Sequence, residues 1–282
     1  MLKKRAGFSW PQLSKLFNVT RGMAKYYGNG KHRISLSNFK KLCNHAGLDF
    51  SKFKLKFTEI RNKEKNPKFS KFNEDFAEFL GFLYGDGCLS RKGYTIHITC
   101  DGFSDFKYVT EVVGPKFINL FSLSPSIFSF KNCIRCRLYS KKVFNFLSNK
   151  LNIPAGRKKG KMKIPEIIYS NINYSQAFLR GLFDTDGGFH RHHKNSAQIH
   201  YTSYDSNFLK QVWELLLTLG FNAKLGEQDI WIFDSRQIDK FFLEINPHNA
   251  KHIYKYRAFK KSGIVPLHRE INYKILNAVT GN

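Results

Sequence analysis

The sequence predicts an α+β protein: two pseudo-symmetric αββαββα halves behind a small all-helical N-terminal unit. Three observations predict it. Residues 74–282 repeat themselves with a period near 100, too long for a solenoid and fitting two related halves. Within each copy, stretches of helical spacing alternate with stretches of strict apolar/polar alternation. The first fifty residues carry three short helix signals instead.

Ser9-Trp10-Pro11-Gln12 opens the first of these helices: Ser9 can cap it, Pro11 fits the first turn, and Gln12 can return the hydrogen bond of a capping box. Leu13, Leu16 and Phe17 follow at helical spacing. Asn18-Val19 is a turn, and Thr20 can cap a second helix to about Tyr27, stopped by Gly28. Ser37 starts a third through Leu42 to Ala46, ended by Gly47. Over residues 8–50 this pattern resembles the helix-turn-helix of small repressor-like domains. The resemblance makes the second helix a recognition helix offering Arg21, Lys25 and Tyr26 to DNA; the competing reading is a plain helical cap. The expected domains are 1–50 for this unit, a basic Lys- and Asn-rich linker over 51–73, a first half over 74–165 and a second over 166–282.

The copies align closely. Glu78 to Gly87 mirrors Ala177 to Gly187, and Ile96-His97-Ile98-Thr99 mirrors Ile199-His200-Tyr201-Thr202. Asp105 and Asp205 each open a helical stretch. Ser140-Lys141-Lys142-Val143 mirrors Ser235-Arg236-Gln237-Ile238. Pro154 precedes Lys158 as Pro247 precedes Lys251. The strands set Ile134, Cys136 and Leu138 against Arg135, Arg137 and Tyr139, Ile96 and Ile98 against His97 and Thr99, and Ile199 and Tyr201 against Gln198 and His200. Such sheets bury one face and expose a polar, basic one, and a β-ribbon of that kind fits the DNA major groove. The Phe-rich run from Phe117 to Phe130 reads as core.

Composition narrows the partner. There are 47 Lys and Arg against 21 Asp and Glu, a formal charge of +26. So much like charge repels itself in a compact fold, and an acidic partner, commonly nucleic acid, relieves it. No apolar run is long enough to span a membrane, and no signal region follows the basic start. Five scattered cysteines read as reduced thiols. The expected location is intracellular, cytoplasmic or within an organelle. Cys133 and Cys136 fall on opposite strand faces, which argues against a zinc pair.

The two repeated helices end in Tyr84-Gly85-Asp86-Gly87 and Asp184-Thr185-Asp186-Gly187, with Gly81 and Gly181 at matching positions. Small residues there let two helix backbones approach. If the halves pack about a pseudo-two-fold axis, Asp86 and Asp186 meet near both helix C-termini. Two carboxylates and two negative dipole ends favour a cation, and oxygen donors favour Mg²⁺. Phe79 to Gly87 and Leu179 to Gly187 resemble the two motifs of a single-chain LAGLIDADG homing endonuclease, and Asn152 to Lys159 resembles that family's linking segment. The resemblance covers roughly residues 74–260.

It implies a monomer whose saddle-like sheets lie on double-stranded DNA and cut both strands with Mg²⁺, for which Mn²⁺ can substitute. It assigns the metal to Asp86 and Asp186, helped by the carbonyls of Gly85 and Thr185. It also implies a basic catalytic residue at each centre, which the repeat places at Lys158 or Lys159 and at Lys251. DNA contacts are expected from Arg91, His97, Thr99, Arg135, Arg137 and Tyr139 in the first half. The second half is expected to supply Gln198 and His200, with His190, Arg191 and His193 in a polar loop after its motif. Tyr84 departs from the family's acidic residue and reads as structural, with Asp184 supporting the site from behind. Met1 and the closing Thr280-Gly281-Asn282 lack splicing nucleophiles, so the expected setting is a free-standing, intron-encoded enzyme. The alternative on this scaffold is a cleavage-deficient maturase acting on intron RNA, or a DNA-binding regulator.

Overall fold

A computed structural model describes residues 7–29, 31–32, 34, 36–49, 66–193 and 196–272. The chain divides into two compact units, Met1–Lys65 and Asn66–Asn282. Among the described residues no helix is long and apolar enough to cross a membrane.

The first unit contains α1 (Trp10–Phe17), α2 (Arg21–Gly28) and α3 (Leu36–His45). Ser9 and Gln12 form the capping box the sequence predicts, and Thr20 caps α2 by accepting from the Met23 amide. Asn18 turns the chain in the left-handed region at φ 52°. Leu13, Phe17, Ala24 and Leu42 bury together, with Trp10, Val19 and Tyr27 packed against them. Arg21, Lys25 and Tyr26 lie exposed on α2, away from the buried Ala24.

The second unit contains the two halves. The first runs α4 (Glu74–Tyr84), β1 (Gly87–Ser90), β2 (Thr95–Asp101), α5 (residues 106–121), β3 (Ser126–Phe130), β4 (Cys133–Tyr139) and α6 (residues 141–150). The second runs α7 (Ile172–Asp186), β5 (Gly187–Arg191), β6 (Ala197–Thr202), α8 (Ser206–Thr218), β7 (Lys224–Leu225), β8 (Asp229–Ile232) and α9 (Ser235–Glu244), with α10 (Ala250–Ser262) added. Each half builds a four-stranded antiparallel sheet of matching order, β1-β2-β4-β3 and β5-β6-β8-β7. The registers match too: Gly87 faces Ile98 as Gly187 faces Tyr201. Apolar alternation sends Ile96, Ile98, Ile134, Cys136 and Leu138 from the first sheet, and Ile199, Tyr201, Ile230 and Ile232 from the second, into one shared cluster.

Two expectations change. Residues 51–65 of the expected linker lie outside the described residues, but 66–72 are packed on the first half. The Lys68 and Ser70 amides donate to the Phe121 and Leu120 carbonyls, and Phe72 stacks on Phe76 at 5.2 Å. Their Lys and Asn content masked the two aromatic anchors, Phe69 and Phe72. The Phe-rich run is only half core: Phe117, Leu120 and Phe121 are buried, whereas Ile127 and Phe128 are exposed on the edge strand β3.

Candidate active site

Helices α4 and α7 cross in backbone contact. A methyl group at Gly81 would strike the Phe178 carbonyl oxygen and lie 2.7 Å from the Leu182 nitrogen; one at Gly181 would strike the Glu78 carbonyl oxygen. Only glycine permits this approach. The same closeness continues to the helix ends, where a Cβ on Gly85 would strike Thr185 Oγ1 and lie 3.4 Å from the Asp186 carboxyl carbon. Asp86 and Asp186 are thereby brought together, Asp86 just before β1 and Asp186 closing α7.

Electrostatics reports the crowding. Burial pushes the Asp86 carboxyl up to about 7, and the Asp186 charge adds to the rise; the Cys100 thiol donates a hydrogen bond to it and pulls the other way. Asp186 is reached by solvent at the mouth of the site. The protein around it still raises its pKa, while Lys158 and Lys251 oppose that rise. Two carboxylates that resist simultaneous charge are a place where a cation gains more than a lone carboxylate would give. Among the described residues no group of three or more His, Cys, Asp or Glu forms a closed metal cage. Two oxygen donors with solvent access fit Mg²⁺, which keeps waters and takes phosphate oxygens to complete its shell. A cation must displace the proton on Asp86. Its affinity is therefore expected to rise as pH climbs toward about 7, by up to ~tenfold per unit, and to level off above. Mg²⁺ titration calorimetry between pH 6 and 8 measures this, and a flat affinity would count against Asp86 as a ligand.

The lysines are held in unlike ways. Lys158 Nζ donates to the carbonyls of Leu83 (3.1 Å), Tyr84 (2.8 Å) and Gly85 (2.5 Å), at the end of α4. Burial lowers its pKa against the pull of both aspartates. The Gly85 carbonyl, expected on the metal, thus accepts from Lys158. Lys251 Nζ pairs with Asp105 at 2.8 Å. Burial alone would lower it, but Asp105 and Asp86 outweigh that and its pKa is raised. Lys159 is exposed, with its amine 5.9 Å from the Tyr204 ring. Gly85, Lys158, Lys159, Asp186 and Tyr204 line one cleft of about 340 Å³. Thr185 turns its hydroxyl back to the Gly181 and Leu182 carbonyls, as a helix residue does.

Supporting contacts explain the motif's odd residue. Asp184 is buried and accepts from the His248 (2.8 Å) and Asn249 (3.1 Å) amides, fixing the entry to α10. Tyr84, its counterpart, is buried against Phe178 and Phe208 and donates to the Lys163 carbonyl at 2.5 Å. Both tether the segment that follows a lysine or carries one.

The polar sheet faces hold most of the expected DNA contacts. Arg135 Nε donates to Thr99 Oγ1 at 2.8 Å, and its guanidinium lies over Phe130 at 4.4 Å. Arg137 donates to the Tyr139 hydroxyl at 2.7 Å and lies over Phe128 at 4.7 Å. His97 sits on the same face, opposite Arg137. Arg91 is exposed between β1 and β2. On the second sheet Gln198 and His200 share a face, and His190 faces Gln198 and stacks on His200 at 4.8 Å. The register makes Trp231 the counterpart of Arg137 and Asp229 that of Arg135; Asp229 is held by the Thr202 hydroxyl.

The loop after the second motif needs correction. His190 and Arg191 belong to β5, so the polar loop begins at His192; His193 is exposed there, and Lys194 lies outside the described residues. Arg191 points to the other side of the strand. Its guanidinium donates twice to the Val265 carbonyl (3.0 and 2.8 Å) and lies 3.5 Å from Glu270, which ties down the chain after α10. Strand alternation placed it opposite His190, and that signal was available. Cys100, Asn249 and Trp231 escaped the sequence reading, because nothing in their own neighbourhood marks them.

A family model described as a LAGLIDADG-like domain matches residues 173–246, the motif helix, sheet and flanking helices of the second half. The second half thus matches a LAGLIDADG-like domain. Among curated proteins, the chain is 27% identical over 200 residues to the replication factor C small subunit of Methanocaldococcus jannaschii, covering 66% of the chain but 10% of that protein. It is 26% identical over 166 residues to a DNA polymerase of Thermococcus litoralis, covering 58% of the chain and 9% of the polymerase. The chain thus spans a tenth or less of the length of these two relatives. Similar solved structures include I-DmoI in complex with DNA and Mn (20% identity, TM-score 0.44, 61% of this chain and 96% of that one). Another is I-WcaI bound to its DNA recognition sequence (16%, 0.46, 67% and 87%). A third is the N-terminal LAGLIDADG domain of DUF199/WhiA (19%, 0.45, 66% and 90%).

Proposed function

We propose that the chain is a site-specific DNA endonuclease, a hydrolase that makes a double-strand break in a long target with a divalent cation, Mg²⁺ by donor hardness. One observation carries the reading: two aspartates from equivalent positions of a duplicated unit crowd together at packed helix ends, with a lysine near each. Asp86 and Asp186 would hold the cation, which when bound would supply Lewis-acid chemistry to the phosphodiester. Lys158 and Lys251 place positive charge where a phosphate gains negative charge in the transition state. The chain works as a monomer, since both halves of the site lie in one polypeptide. The net charge of +26 supports binding to a polyanion, and the largely half-buried arginines and histidines of the polar sheet faces are the base-reading candidates.

The deciding experiment incubates the protein with plasmid libraries carrying DNA that flanks its gene, in Mg²⁺ and in EDTA. Metal-dependent linear product supports the nuclease. Tight, metal-independent binding without cutting favours the regulator, which the exposed Arg21, Lys25 and Tyr26 of α2 would suit. Preference for intron RNA with promotion of splicing favours the maturase. Arg135→Ala is expected to weaken DNA binding by roughly tenfold to a hundredfold at fixed salt, the cost of one lost bidentate base contact. Fluorescence anisotropy measures it. An unchanged Kd would leave Arg135 as a solvated strand residue.

A further inference from the structure

We propose that Asp105 and Asp205 are reciprocal positioning residues, each half's aspartate holding the lysine-bearing segment of the other half beside the paired carboxylates. The inference rests on the nuclease reading for its catalytic meaning and on geometry for its contacts. The two residues occupy equivalent places, directly before α5 and α8, and each is only 4% exposed. A buried carboxylate needs partners. Asp105 stands at a helix start but makes no capping bond there. Its carboxylate instead accepts from Lys251 Nζ and from Asn249 Nδ2, both at 2.8 Å, and both partners belong to the second half. Asn249 is itself fully buried and also donates to the Asp184 carbonyl at 3.0 Å. One chain of bonds therefore runs from the second motif through Asn249 to Asp105 and Lys251.

Asp205 works in the opposite direction. One oxygen caps α8 through the Phe208 amide at 3.2 Å. The other accepts from the Gly160 amide at 2.6 Å and the Met162 amide at 3.3 Å, in the segment that carries Lys158. The exchange is reciprocal but unequal. Asp105 grips the amine itself, whereas Asp205 grips backbone and leaves the Lys158 amine on the carbonyls that end α4. Each aspartate thus serves a different centre, and its loss acts on one strand of the target.

The test uses the full chain and a duplex with each strand carrying its own label, under single-turnover conditions in Mg²⁺. Asp105→Asn is expected to slow nicking of one strand at least tenfold more than the other, with DNA Kd changed less than twofold. Asp205→Asn is expected to slow the opposite strand. A second readout needs neither metal nor DNA: mass-spectrometric acetylation should modify Lys251 several times faster in Asp105→Asn, with Lys158 unchanged. Should one variant fail to fold, the other carries the test, since each must bias its own strand. Equal slowing of both strands with unchanged Lys251 labelling overturns the inference. Wild-type protein that cuts neither strand, with Lys251 labelling still responding to Asp105, instead fails the nuclease reading and leaves the contact intact.

Discussion

Asp186→Asn is expected to cut the rate of strand cleavage on the order of 10³-fold while leaving DNA affinity nearly unchanged. The asymmetry follows from where the charge sits. Asp186 lies at the end of α7, solvent-reached and beside Asp86, and its raised pKa comes first from the protein packed around it. The amide keeps the shape and one oxygen acceptor but removes the charge that draws a cation. It also relieves Asp86, whose carboxyl is pushed up to about 7 partly by Asp186. The proton on Asp86 should then leave more easily, so the variant is expected to fold as stably as the parent or slightly more so. Cleavage and binding measured on the same duplex check both sides. A variant that still cuts at the parental rate would remove Asp186 from the chemistry. One that loses binding in step with cutting would make its role structural.

Gly81→Ala and Gly181→Ala are expected to destabilise the second unit by about 3 kcal/mol each, at the upper end of what overpacking costs. For a domain of this size that is roughly 6–12 °C in Tm. The reason is what the new methyl meets. At both positions its nearest neighbours include backbone atoms of the facing helix, which cannot rotate away as a side chain could. Relief requires α4 and α7 to move apart, which would loosen the aromatic packing along them and separate Asp86 from Asp186. Both variants should therefore lose cleavage as well as stability. Thermal unfolding followed by circular dichroism measures the first effect. A fall under about 2 °C would mean that the helices part at little cost.

Much of this arrangement is legible in the sequence. The paired motifs, the mirrored strands and the inward and outward faces of β2, β4 and β6 all follow from local spacing, because a strand commits every second residue to one side. Gly81 and Gly181 were legible as small residues at equivalent helix positions. Legibility failed where a side chain's fate depends on something distant in sequence. Arg191 looks like any basic residue beside a motif, yet Val265 and Glu270 claim it. Phe128 and Phe130 look like core, yet they lie on the edge strand beneath the guanidinium groups of Arg137 and Arg135. Asp105 looks like a helix cap, and only the fold brings Asn249 and Lys251 to it. The repeat pointed to Lys158 or Lys159 and to Lys251, but it could not say that Lys158 would rest on carbonyls and Lys251 on a carboxylate.

The two sheets share a frame and differ in what they present. Where the first offers Arg135 and Arg137, the second offers Asp229 and Trp231 at the same register. An assembly of two identical subunits must present the same surface twice and so prefers a palindrome. Joining the halves in one chain removes that constraint, and here the joined halves have diverged. On the proposed nuclease reading, the preferred sequence is therefore expected to be non-palindromic, with a left arm and a right arm that cannot be exchanged. Each arm could drift with its own sheet, so that changes on one face retune half of the target without disturbing the other.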